Sequence, residues 1–132
     1  MAKYEKQVYA IFRIMAGFLF LWHGSQKLFG VPPMEGGGGL LFYTAGAIEF
    51  FGGIMIMIGL LTRWTAFIAS GEMAYAFWII HVPAAGLLPL LNGGELAALY
   101  CFIFLFISAY GPGIWSIDNS IARNKGATQL NV

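Results

Sequence analysis

The run Leu40–Val82, LLFYTAGAIEFFGGIMIMIGLLTRWTAFIASGEMAYAFWIIHV, decides how this chain folds. It holds two apolar segments, Leu40–Leu61 and Trp64–Val82, with one charge inside each, Glu49 and Glu72. Crossing the hydrocarbon layer as a helix takes about 20 mostly apolar residues, with a range of about 17–25. Both segments qualify. Only Thr62 and Arg63 separate them, and so tight a turn forces two antiparallel neighbouring helices.

Two further apolar stretches flank this pair. Val8–Phe29 is interrupted by Arg13 and has Ile14–Trp22 as its longest uncharged run. It is read as a span because a lipid-exposed backbone must satisfy itself in helices. Leu96–Tyr110 carries no charge and is short unless Glu95 and Gly111 lie at the interfaces. The expected spans are about 8–29, 40–61, 64–82 and 95–111, forming an all-α, integral membrane, antiparallel four-helix bundle. The whole of 1–132 is one membrane domain, with 112–132 a polar, partly disordered tail.

Composition supports this class. The chain is 59% hydrophobic and 10% charged, against about 25% charged in soluble domains. Mean hydropathy is +0.75. So short a chain has too little interior to hide that much apolar surface in water. A net charge of +1 leaves no basic footprint for nucleic acid. The single Cys101 makes no intrachain disulfide, and no Cys/His cluster suggests a metal site. Met1–Lys6 is short and charged and no small-x-small pattern follows, so the first stretch is read as an uncleaved span, not a signal peptide.

Breaks fall where Pro and Gly gather. Gly30–Gly39 contains Pro32, Pro33 and four consecutive glycines. Pro83–Gly94 is apolar yet proline-broken, an interfacial or re-entrant stretch, and Gly111-Pro112-Gly113 stops the fourth helix. There is no internal repeat. Four spans put both termini on one side with Lys3, Lys6, Arg63, Arg123 and Lys125, so the positive-inside rule makes that side cytoplasmic. Trp22, Trp64, Trp78 and Trp115 near the span ends suit an aromatic belt.

Five ionisable residues lie inside apolar segments: Arg13, His23, Glu49, Glu72 and His81. Such groups face a bundle interior, pair with one another or mark a site. Helical spacing puts Arg13, Gly17, Phe20, Gly24 and Lys27 on one face, Gly46, Glu49 and Gly53 on another, and Ala69, Glu72 and Ala76 on a third. Small residues beside a charge permit close interhelical packing. Counting about 1.5 Å per residue from the helix ends puts Arg13 roughly 8 Å, Glu72 roughly 12 Å and Glu49 roughly 18 Å deep. A buried charge network of Arg13, Glu49 and Glu72 is expected, with Arg13 paired to one of the carboxylates, either fixing helix register or relaying protons.

His23 and His81 reach similar depths, with Lys27, Asn92 and Glu95 just beyond. Two histidines at one depth invite a bis-His haem. A quinone or small polar substrate at the bundle mouth is favoured over haem, because imidazole exchanges protons near neutral pH. Against this, Glu72 and His81 are nine residues apart and point to opposite faces of a regular helix. The bland alternative is a pair of interfacial histidines bonded to loop carbonyls. Gly36–Gly39 lacks the Lys-Ser/Thr of a phosphate loop, and Met55, Met57 and Met73 are apolar fillers, not a copper site.

Several stretches together resemble the DoxX family: Trp22-His23-Gly24-Ser25-Gln26-Lys27-Leu28-Phe29-Gly30, Glu49-Phe50-Phe51-Gly52-Gly53, Gly59-Leu60-Leu61-Thr62-Arg63, Asn92-Gly93-Gly94-Glu95, and Gly111-Pro112-Gly113 followed by Ser116-Ile117-Asp118. The likeness runs from about Ile11 to Asp118. It implies a small four-helix protein of the bacterial inner membrane that accompanies oxidoreductases. One branch is similar to a subunit of an archaeal thiosulfate:quinone oxidoreductase, another to the membrane component of an oxidative-stress complex with superoxide dismutase and a sulfurtransferase. The family pattern falls on His23, Lys27, Glu49, Arg63, His81, Asn92, Glu95 and Asp118, without giving any of them a role. Two functions follow as expectations: a membrane subunit of a quinone-linked redox complex, with His23, Lys27, His81, Asn92 and Glu95 as its pocket, or a non-enzymatic accessory subunit packed against other proteins. A small transporter built on Arg13, Glu49 and Glu72 ranks below both, since no inverted repeat is visible.

Overall fold

The computed structural model describes residues 2–129. A short 3₁₀ turn, Ala2–Tyr4, leads into α1 (Glu5–Phe29). After the glycine-rich loop come α2 (Leu40–Ile58) and α3 (Thr62–Tyr75). The α3 path continues through a π-helical segment, Ala76–His81, into α4 (Val82–Ala85). Then follow α5 (Pro89–Asn92), α6 (Glu95–Tyr110) and α7 (Ile117–Gln129). There is no strand among the described residues. Three helical runs, Ala2–Phe29, Leu40–Ile58 and Thr62–Ala85, are long and apolar enough to cross a membrane, while α6 is a 16-residue apolar helix below that length.

The turn between the second and third helices occupies 59–61, earlier than the Thr62-Arg63 expected. Gly59 ends α2 in the left-handed region (φ 71°), which costs glycine nothing, and its N–H reaches back to the Ile56 carbonyl. The tail expected to be partly disordered carries α7 as far as Gln129, and 130–132 lie outside the described residues.

α1 packs along α2 and α3 along α6, while α2 touches α3 and α1 touches α6. The α1–α2 contact is backbone against backbone. A Cβ on Gly17 would stand 2.6 Å from the Gly53 carbonyl oxygen, and one on Gly53 would stand 2.7 Å from the Leu21 nitrogen. Between the helices lies an aromatic and aliphatic core. Phe20 meets Phe104 at 4.5 Å between ring centroids, and Tyr100 stacks on Phe104 at 5.4 Å. The outer faces are apolar and exposed, Phe102 to 70%, as a lipid-facing surface must be.

At the end carrying the termini, two arginines cap two helices. The last carbonyls of a helix have no partner within it, and lipid offers none. Arg13, fully buried, donates to the Ile56 and Met57 carbonyls at 2.6 and 2.7 Å, and to those of Ile114 and Trp115 at 3.3 and 2.8 Å. Arg63 donates to the Ser108, Ala109 and Tyr110 carbonyls. Positive charge at these C-termini also meets the negative end of the helix dipole. Asp118 completes the knot, accepting from the Leu61 N–H, the Thr62 N–H and the Thr62 hydroxyl, each at 2.8 Å. Burial pushes the Asp118 carboxyl up, but the bonds from Thr62 and Leu61 and the Arg13 charge outweigh it and hold the group below its ordinary value. Leu61 and Trp115, two non-glycine residues at positive φ (48° and 55°), are both tied into this knot, which offsets the strain of that conformation.

Candidate ligand site

The expected pair of Arg13 with Glu49 or Glu72 is not formed. Among the described residues Arg13 bonds only to backbone carbonyls, and the glycine contacts explain why. They set Gly17 level with Gly53 and Met57, and Gly24 level with Gly46 and Phe50. Arg13 therefore faces the far end of α2, and Met57, which it caps, is eight residues or about 12 Å along the helix from Glu49. The cation that meets Glu49 is Lys27, whose Nζ donates to Oε1. Their side chains are 23% and 3% exposed, so the carboxylate is the more deeply buried partner.

Lys27 and Glu49 border a cavity of about 210 Å³ between α1, α6 and the π-helical segment. His23, His81 and Tyr100 line it as well. The His23 ring sits edge-on to Tyr100 at 6.0 Å. His81 reaches this cavity because the segment Ala76–His81 is π-helical. Its wider turn takes up an extra residue and turns His81 away from the face opposite Glu72 that regular α-helix spacing requires. The one local signal is Pro83, which has no N–H to offer the Ile79 carbonyl and so loosens the helical ladder just before it.

The other pocket candidates are placed differently. Asn92 is buried and holds the 86–94 connection, donating to the Gly86 carbonyl and accepting from the Gly94 N–H, both at 2.7 Å. Its backbone carbonyl lies 3.1 Å from His81 Nδ1, which orients the imidazole. Glu95 is exposed in the first turn of α6, where an acidic residue complements the helix dipole, and does not line the cavity. Tyr100, which sequence reading passed over, is a cavity wall.

Glu72 borders a second cavity of about 550 Å³ between α2 and α3. Lys27 lines both cavities. One oxygen of each carboxylate, Glu49 Oε2 and Glu72 Oε2, is buried without a hydrogen-bond partner. Among the described residues no cluster of His, Cys, Asp and Glu is arranged to hold a metal ion.

Long apolar helices, close glycine packing and ionisable groups turned inward define a helical membrane protein. The DoxX family profile matches residues 8–82, more than half of the chain, and the chain belongs to that family. It is 41% identical over 128 residues to an uncharacterized protein of Haemophilus influenzae, covering 92% of this chain and 96% of the relative. It is 32% identical over 130 residues to the inner membrane protein YqjF of Escherichia coli, covering 93% and 98%. No solved structure matches the chain.

Proposed function

We propose that this protein is a membrane subunit of a quinone-linked redox complex, in the bacterial inner membrane, with α6 as a fourth span and both termini cytoplasmic. The observation that carries this reading is the polar cavity inside an apolar helix assembly, where His23, His81, Tyr100 and the Lys27–Glu49 pair converge. The residues fit the group. Quinone carbonyl oxygens accept hydrogen bonds, and imidazole, phenol and ammonium donate them. At about 210 Å³ the cavity lies below the roughly 300–1,000 Å³ of sites for drug-sized ligands, so it suits a single ring and is too small for a haem held between the two histidines.

A bound quinone supplies two-electron chemistry, taking up two protons as it becomes quinol. The chain's own part is positioning and proton delivery. His81, whose Nδ1 lies 3.1 Å from the Asn92 carbonyl, lines the cavity. His23 stands across from it beside Tyr100. The electrons come from a partner oxidoreductase subunit, which makes the protein dependent on its complex.

The test is gentle extraction from native membranes, with mass spectrometry of co-purifying proteins and lipophilic molecules. Stoichiometric quinone, lost on His81→Ala with the complex still assembled, is the expected result. Stoichiometric protein partners without quinone, and turnover of the complex indifferent to His23→Ala and His81→Ala, would replace this reading with that of an accessory subunit.

A further inference from the structure

Charge balance around Lys27 leaves one carboxylate over. Lys27 sits on Glu49, and the charged groups that face Glu72 are that same lysine, from α1, and Glu49, from α2. One ammonium cannot compensate two carboxylates, Glu49 buried and Glu72 half-buried with its Oε2 enclosed and unpartnered, and an uncompensated charge inside an apolar span is costly. Glu72 needs either a proton or a second cation. The cavity it borders is made for more than a proton. Its volume, about 550 Å³, lies within the range of small-molecule sites. Phe42 and Tyr75 line it, and aromatic faces attract cations. Apart from Lys27, which Glu49 engages, the rest of the wall is almost wholly apolar, and Ile68 on its wall is exposed on the outer face, so a ligand dissolved in the bilayer has access.

We infer that the α2–α3 cavity is a binding site for a lipophilic monovalent cation, an organic ammonium or phosphonium with a bulky apolar body, held by the Glu72 carboxylate and the Phe42 and Tyr75 rings. The apolar body replaces lipid against the wall, and the charge supplies the counter-ion that Lys27 cannot. An inorganic cation is disfavoured because the wall offers almost no oxygen ligands to replace its water. This site shares Lys27 with the histidine cavity but is a different space, and it stands whether or not a quinone binds there.

The decisive experiment compares two ions of the same shape and opposite charge. Tetraphenylphosphonium and tetraphenylborate are titrated against the purified full-length protein in nonionic detergent, with empty micelles subtracted. The phosphonium should bind saturably at one site and the borate should not. Glu72→Gln should weaken phosphonium binding by about tenfold or more, the loss of a charge-assisted contact of about 1.4 kcal/mol. Ala45→Trp, which fills the cavity wall and leaves Glu72 in place, should abolish it. Equal binding of the two ions, or phosphonium binding retained by Ala45→Trp, would overturn the inference. These two readouts decide the matter even if Glu72→Gln fails to fold.

Discussion

Lys27 and Glu49 form an ion pair across the α1–α2 interface, one turn from where Gly24 and Gly46 bring the two backbones together. The pair owes its geometry to those glycines, since a Cβ on Gly46 would stand 2.8 Å from the Lys27 Cβ. Helix contact and charge contact are therefore one arrangement.

Removing one partner leaves the other charge buried. Glu49→Gln and Lys27→Met should each destabilise the protein by about 3 kcal/mol, and the double variant should lose less than the sum of the two. Thermal unfolding in detergent, read as a double-mutant cycle, checks this. An additive cycle would mean the pair contributes nothing as a pair.

The same cycle on Arg13 and Glu49 should come out additive within about 0.5 kcal/mol, because the two groups share no partner. Arg13→Lys should still be costly. A single ammonium cannot reproduce the guanidinium fork that serves carbonyls of both α2 and the 114–115 segment. A coupling above about 1 kcal/mol would return Arg13 to the charge network.

Glycine substitutions should divide sharply by position. Gly17→Ala places a methyl against the Gly53 carbonyl and the Met57 nitrogen and should cost about 1–3 kcal/mol. Gly71→Ala, within α3, meets nothing within 4 Å and should stabilise by about 0.5–1 kcal/mol through helix propensity. Melting temperatures of the two variants, measured side by side, test whether close backbone approach sets the α1–α2 contact.

Asp118 gives a pH dependence with a definite sign. Its folded-state carboxyl titrates below its ordinary value. Its contribution is complete above the unfolded-state value of about 3.9 and is lost as pH falls through the lower, folded-state value. Asp118→Asn should lower the melting temperature at neutral pH, and the gap between variant and wild type should close on acidification below about pH 4. A gap that stays constant down to pH 2 would show that the carboxylate's charge is not what holds Leu61 and Thr62.

Much of this protein was legible in local sequence. Apolar runs of sufficient length, the Gly and Pro of the 30–39 and 111–113 breaks and the small residues beside Glu49 are properties of one segment at a time. They indicated the apolar helices, three of which are long enough to cross a membrane. The tertiary structure decided the rest. Which cation meets Glu49 depends on how α1 slides against α2, and the contacts of Gly17, Gly24, Gly46 and Gly53 set that register in favour of Lys27 over Arg13. Arg13 then turns to carbonyls that lie 43 and more residues away in the chain. His81 reaches the His23 cavity through a π-helical turn just before Pro83, while Asn92 and Glu95, the ends of one family stretch, go to loop bonds and solvent. Hydrophobic periodicity is a short-range signal that reports which face of a helix turns inward. Charge pairing and cavities arise from the relative displacement of helices, a distance that no single segment encodes.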